Sequence, residues 1–154
     1  MLRGFCMPTV DQVYANVHQF FNNNFTGIVI HDDKTVTLRY DSALCFVEVL
    51  EWNSETEGRN TLVRIRASVV WGVKRSQALY EWVALNNDEY YFGHLVVKET
   101  KEKELVDVWF AHNLLGDFLD EAELICAVTA LLFTADQLDD EVMHTFGGKR
   151  TFDK

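Results

Sequence analysis

The 154-residue chain has little of what divides, anchors or cross-links a protein. It contains one proline and eight glycines, and no Ser/Gly/Pro-rich stretch separates its apolar segments, so no flexible linker is predicted. No segment approaches the ~20 uninterrupted apolar residues that cross a bilayer, and the first residues lack the apolar run of a signal peptide. With 48% hydrophobic residues the chain can fill one core, and we expect a single cytoplasmic domain.

Cysteine is scarce as well. Cys6, Cys45 and Cys126 are odd in number and widely spaced, with no Cys-x-x-Cys pair. This pattern predicts neither a disulfide framework nor a structural metal site, and it favours a reducing compartment.

Positive charge is also in short supply. The formal net charge is -10 and the pI is near 4.8. A negative field repels phosphate backbones, so nucleic-acid binding is not expected, whereas solubility and the attraction of basic partners are.

The motifs that gather catalytic groups are missing. There is no phosphate-cradling Gly-rich loop, no Gly-x-Ser-x-Gly and no His-Glu-x-x-His. His31-Asp32-Asp33 is interpreted as a turn, and Asp139-Asp140-Glu141 as the solvated face of a helix. The five histidines have no ligand or nucleophile at a regular offset: His18, His31, His94, His112 and His144. We expect no enzyme activity, no cofactor and no metal.

Three helices are predicted from apolar spacing and capping signals. Thr9 with Gln12 three residues later begins a helix that runs from about Val10 to Asn23. Ser76 begins a short second helix.

The third helix is the longest. Asp120 begins it, Gly147-Gly148 ends it, and its length is about 40 Å at ~1.5 Å per residue. A helix of that length is longer than a small sheet can cover, which favours a part that projects or meets a partner subunit. The competing interpretation is that the whole apolar stripe packs on the chain's own sheet.

Between the helices the apolar period changes to two. Leu62 to Val73 is the clearest strand, and residues 90–99 and 104–114 flank the charged turn 100–103. The predicted fold class is α+β: an antiparallel sheet of about five to six strands, two longer helices packed on one face, and a short helix between strands (α-β-β-β-β-α-β-β-α). The strict alternation of Leu62 to Val73 places these side chains on the buried face: Val63, Ile65, Ala67, Val69, Trp71 and Val73.

The opposite face of the sheet is expected to be unusually apolar. A large exposed apolar patch on a soluble protein marks an interaction surface, unless the short second helix or a different strand register covers it. Trp52 and Trp109 would be its aromatic anchors. The alternation predicts these partner-binding residues: Leu44, Phe46, Leu50, Trp52, Leu105 and Trp109.

The order of elements resembles the bacterial type III secretion chaperone-like fold, and local sequence resembles its YbjN-like branch. The resemblance rests on residues 75–86, the aromatic Tyr91-Phe92-Gly93, residues 106–110, residues 134–139 and the closing Phe146-Gly147-Gly148. It implies a small, acidic, commonly dimeric protein that binds a peptide or a partly unfolded client, or that is regulatory. The chain departs from the simplest plan in an extra hairpin, Ile28 to Tyr40, which bears on the dimer arrangement.

These observations predict an N-terminal tail at residues 1–8, one domain at 9–148 and a C-terminal tail at 149–154, with translation starting at Met1 or Met7. The predicted function is a non-enzymatic module, chaperone-like or regulatory, that holds a protein or peptide segment on an apolar sheet surface. No membrane partner is expected, and the sequence allows a homodimer without requiring one. The alternative is an acidic regulatory or counter-defence protein that mimics nucleic acid and blocks a DNA-binding partner; it requires carboxylates gathered on one face.

Overall fold

The computed structural model describes residues 7–52 and 60–153. They form an α+β domain in which a six-stranded antiparallel sheet, in the order β1-β2-β3-β4-β6-β5, carries three α-helices. The predicted fold class is confirmed. The elements are α1 (Val10–Asn24), β1 (Val29–Ile30), β2 (Val36–Tyr40), β3 (Ala43–Glu51), β4 (Thr61–Lys74), α2 (Gln77–Asn86), β5 (His94–Glu99), β6 (Leu105–Leu115) and α3 (Glu121–Phe146).

The helices begin where the capping signals predict. The Thr9 hydroxyl accepts the N–H of Gln12, and the Gln12 side chain accepts the N–H of Thr9, which completes the capping box of α1. The Asp120 carboxylate accepts the N–H of Glu123 at 2.8 Å at the start of α3. These side chains satisfy backbone donors that have no partner inside the helix.

One face of the sheet carries the core. Phe21 of α1, Leu79 of α2 and Leu131 of α3 are all buried in the same apolar cluster, so the short helix lies on the same side as the two long ones. Buried residues recur along α3 from Leu124 to Val142. The apolar stripe of α3 is therefore used inside the chain, and the alternative in which part of it projects toward a partner is not needed.

The strict alternation predicted for β4 is wrong beyond Ser68. The register of β4 against β6 shifts between Ser68 and Val70 and again between Val70 and Val73, and Gly72 has a φ of 65°. Each bulge inserts an extra residue and reverses which face the following side chains take. As a result Trp71, predicted in the core, lies on the outer face, where its ring contacts that of Trp109.

The interpretation of Asp139 as part of a solvated helix face is also wrong. Asp139 is 2% exposed and contacts the hydroxyl of Ser42, which follows β2. The same hydroxyl lies 2.6 Å from Asp136 Oδ1, and the Ser42 N–H donates to that oxygen at 3.1 Å. One hydroxyl has a single proton to donate, so the second contact is satisfied when the Asp139 carboxyl carries a proton. Burial raises the pKa of Asp139, in agreement with this arrangement.

Asp139→Asn should therefore improve stability relative to the wild type as the pH rises. A carboxyl whose pKa is raised in the folded state stabilises it below the unfolded pKa, near 3.8, and that contribution is lost as the pH rises through the folded pKa. An amide keeps a donor for Ser42 at every pH. Urea unfolding between pH 4 and pH 7 should show the wild type losing about 1.4 kcal/mol against the variant for each unit by which the pKa is raised.

The matched control is Glu141→Gln, which removes an exposed carboxylate from the same helix. Its difference from the wild type should change much less over the same pH range. A wild type that gains stability relative to Asp139→Asn with rising pH would mean that folding lowers the pKa of Asp139 and does not raise it.

Candidate binding surfaces

The six predicted partner-binding residues lie at three places along the sheet. Phe46 and Trp109 are in direct ring contact, with centroids 5.6 Å apart. Leu50 pairs with Leu62, which pairs with Leu115, so three leucines cross the outer face in a row near the end of β3, and Trp52 follows them at 37% exposure. Leu44 lies at the start of β3 and Leu105 opposite Lys74 at the far end of β4.

Trp109 lies at the centre of an aromatic cluster and is 8% exposed. Its ring packs edge-on against Trp71 at 4.7 Å, and the Arg66 guanidinium lies 5.9 Å from the ring centroid. The indole N–H of Trp109 and the Nε–H of Arg66 are buried and have no hydrogen-bond partner within residues 7–52 and 60–153. A buried donor without an acceptor destabilises the folded state, and this cluster contains two such donors.

The C-terminal segment, residues 149–153, covers part of the outer face. Lys149 forms a two-bonded antiparallel bridge with Trp71, with N···O distances of 2.8 and 2.9 Å. The Thr151 hydroxyl lies 2.6 Å from the hydroxyl of Ser68 and accepts the indole N–H of Trp71 at 2.8 Å. The cover is thus formed by the end of the chain, and not by α2, the cover considered from the sequence.

Charge on the outer face has the opposite sign to that of the whole chain. Strand pairing places the basic side chains Arg64 and Arg66 opposite Glu48 or its neighbours, and Glu48 contacts Arg66 at 3.0 Å. Basic residues outnumber acidic ones here, because Arg39, Arg64, Arg66 and Lys98 share the face with Glu48 and Asp107. The acidic surplus of the protein lies elsewhere.

A second apolar surface, which we call the α1–β2–α3 groove, lies on the helical side. It has a volume of about 1180 Å³ and opens between the end of α1, strand β2 and one side of α3. Asn23 and Asn24 donate to the Glu121 carboxylate and join the two helices at one rim. Phe133 contributes a ring that is 51% exposed. The apolar lining consists of Phe25, Leu38, Ala122, Ile125, Ala130, Leu132 and Phe133.

The two edges of the sheet differ in what they leave open. On β5 the Asn87 amide accepts the N–H of Leu95 and donates to its carbonyl, in place of another strand. On β2 the short β1 pairs only with Val36 and Thr37. In the described chain no strand pairs with the remainder of β2, residues 38–40, on that side. The open part of β2 also lines the groove.

The titratable groups near these surfaces do not converge on a reactive centre. Burial raises the pKa of the Cys45 thiol to about 12, which keeps it protonated. Burial also lowers the pKa of His112, whose Nδ1 accepts the N–H of Gly93 at 3.2 Å. Within the described ranges no three His, Cys, Asp or Glu side chains are placed to hold a metal ion, and no helix is long and apolar enough to span a membrane.

The groove and the covering segment were missed from the sequence. Phe133 gave the available signal, since it lies off the apolar stripe of α3 and yet is a large apolar residue. Thr151 and Phe152 gave none, because a Thr-Phe pair after two glycines has no periodicity to place it on a sheet.

Comparison with known proteins agrees with this architecture. A family model described as "T3SS (YopN, CesT) and YbjN peptide-binding chaperone 1" matches residues 10–154. A solved structure, "Crystal Structure of the ExsC-ExsE Complex", superposes with a TM-score of 0.58 at 15% identity, covering 87% of this chain and 96% of that one. At that identity the likeness concerns the fold alone. No curated protein matches the chain. The protein belongs to the TY-Chap1 family of T3SS and YbjN peptide-binding chaperones.

Proposed function

We propose that this protein holds an extended segment of another protein in the α1–β2–α3 groove, without catalysing a reaction. The observation that carries the proposal is the open edge of β2 beside an apolar groove of about 1180 Å³. A segment that adds to this edge gains main-chain hydrogen bonds from β2 and places alternate side chains against α3.

The difference between the two sheet edges supports this choice of surface. An edge strand presents unpaired N–H and C=O groups that recruit another strand. On β5 the Asn87 side chain already uses those of Leu95, whereas in the described chain no strand pairs with residues 38–40 of β2 on the side of β1. These residues also line the apolar groove, so an incoming strand there finds backbone partners and apolar contacts together.

Side-chain selectivity would come from the groove lining. Phe25, Leu38, Ile125 and Phe133 offer apolar contacts, so every second residue of the client segment should be apolar. The net charge of -10 favours segments whose remaining residues are basic. Glu121 at one rim of the groove adds a local negative charge, which favours a basic residue of the client at that end.

Phe133→Gln should weaken client binding about tenfold or more. The ring is an exposed apolar anchor in the lining of the groove, and glutamine keeps the helix while removing the apolar contact. The probe is a set of peptides selected from a random library on the immobilised chain, and their dissociation constants would be measured by fluorescence anisotropy.

The matched control for this test is Leu85→Gln. Leu85 is a 78% exposed apolar residue on α2, away from the groove, so its replacement should leave the peptide affinity of each chain unchanged, in the monomer and in the dimer. Loss of affinity in Leu85→Gln with none in Phe133→Gln would move the site away from the groove. A library that yields no binding peptide would argue against the function itself.

The two tryptophans predicted as outer-face anchors should respond differently to truncation. Trp109→Ala removes an almost fully buried ring and should cost about 3–5 kcal/mol of unfolding free energy, while Trp52→Ala, at a partly exposed site, should cost less than about 1 kcal/mol. Urea unfolding of both variants measures this. Equal losses would show that Trp52 is also covered, and Trp52→Ala would then be unsuitable for binding tests.

A homodimer remains part of the proposal, and the region around α2 is its best surface. Tyr80 and Leu85 on α2, and Tyr91 and Phe92 just after it, are exposed large apolar side chains. A two-fold contact would bury each of them against its own counterpart. Light scattering should give twice the chain mass of 17.8 kDa, and Tyr91→Ser with Leu85→Gln should return it to the monomer value. A wild-type mass equal to that of one chain would contradict the proposed dimer.

The DNA-mimic alternative has less support. It needs carboxylates gathered on a single face, whereas the open face of the sheet carries Arg39, Arg64, Arg66 and Lys98.

A further inference from the structure

The C-terminal segment, residues 149–153, lies on the outer face much as a bound peptide would. It pairs with the sheet through one bridge, Lys149 with Trp71. It then contributes a hydroxyl, from Thr151, to Ser68 and Trp71, and an aromatic ring, from Phe152, that lies 3.7 Å from the Arg39 guanidinium. These contacts are a strand pairing, a hydrogen bond and a cation–π contact, which are the elements of short-peptide recognition.

The segment is held at few points and is joined to α3 by two glycines. Gly147 and Gly148 both have positive φ, 81° and 94°. A Cβ on Gly148 would lie 2.4 Å from Val70 Cγ1, so the docked path depends on glycine. Beyond the bridge, Arg150 pairs with Asp140 of α3 and with Asp153 of the segment itself, and neither contact is made to the sheet.

The docked segment leaves part of the outer face unsatisfied. The buried indole N–H of Trp109 and Nε–H of Arg66 have no acceptor within the described chain. Both lie beside Phe46, and the apolar row of Leu50, Leu62 and Leu115 extends farther along the same face. A longer segment buries more apolar surface there than residues 149–153 do.

We propose that the outer face is a second binding surface, separate from the groove, for an extended partner segment in which a hydroxyl residue and an aromatic residue are followed by carboxylates. The partner segment binds the part of the outer face that residues 149–153 contact, and it displaces them. The hydroxyl and aromatic residues reproduce the contacts of Thr151 and Phe152, and the carboxylates follow the aromatic residue, next to the Arg39 guanidinium on which its ring packs.

Displacement predicts competition between the tail and a peptide in trans. The probe is a fluorescein-labelled peptide with the sequence of residues 148–154, Gly-Lys-Arg-Thr-Phe-Asp-Lys. In the 154-residue chain, Thr151→Val with Phe152→Ala removes the hydroxyl and the ring and should release residues 149–153 from the outer face. This variant should bind the peptide at least about tenfold more tightly than the wild type, whose own tail competes at an effective concentration of roughly millimolar.

Three controls test where the peptide binds and which of its side chains are recognised. Thr145→Val, at an exposed position near the end of α3, should behave like the wild type. Adding Phe133→Gln to the freed variant should leave peptide affinity unchanged, which separates this surface from the groove. A peptide that carries Val and Ala in place of Thr and Phe should bind at least tenfold more weakly.

The carboxylate preference has its own test. A peptide extended by Glu-Glu after the aspartate should bind the freed variant about threefold more tightly than one extended by Gln-Gln, in the range of a partly exposed ion pair. Arg39→Gln should abolish the difference. Equal affinities for the two peptides would overturn the acidic character of the partner segment.

The whole proposal is overturned if the freed variant fails to bind the tail peptide, or if it binds no more tightly than the wild type. It is also overturned if light scattering shows a wild-type dimer that becomes a monomer in Thr151→Val with Phe152→Ala, because the tail of a second copy would then be the occupant. None of these results depends on whether the groove holds a client.

Discussion

Three helices cover one face of a six-stranded sheet, and the other face depends on its own side chains and on the last residues of the chain. Most of the structure follows from that asymmetry. The core side is filled by valine, isoleucine, leucine and phenylalanine from the main elements, as at Val17, Ile65 and Leu131. The outer side mixes apolar rows with Arg64, Arg66 and Glu48. Because of these charged side chains it can face solvent without a second layer of helices.

The bulges of β4 link the two sides. By shifting register after Ser68 they return Val70 and Val73 to the core and put Trp71 on the outer face, against Trp109. They also leave the backbone of Trp71 free to pair with Lys149. The docking of the C-terminal segment on the sheet therefore depends on the same bulges that keep β4 packed against α3.

Much of this architecture could be predicted from sequence, because its signals are local. Thr9 with Gln12 and Asp120 with Glu123 set helix starts through contacts three residues apart, and the period of two in β3 and β4 identified strands. The bulges were not predictable, since Trp71 is as compatible with a core position as with a surface one. Asp139 was misplaced because its partner, Ser42, is 97 residues away in sequence. The groove is formed by three separate elements, so no single segment carries its pattern.

The distribution of charge decides which segments each surface can accept. The overall charge of -10 acts at long range and draws basic segments, but salt screens it beyond about 8 Å, so at contact the local side chains decide. On the outer face those side chains are mostly basic and would favour carboxylates. A segment that satisfies both must be basic at one end and acidic at the other. The chain's own Lys149-Arg150-Thr151-Phe152-Asp153 has that order of charges, and its docked position on the sheet is consistent with the same rule applied within one molecule.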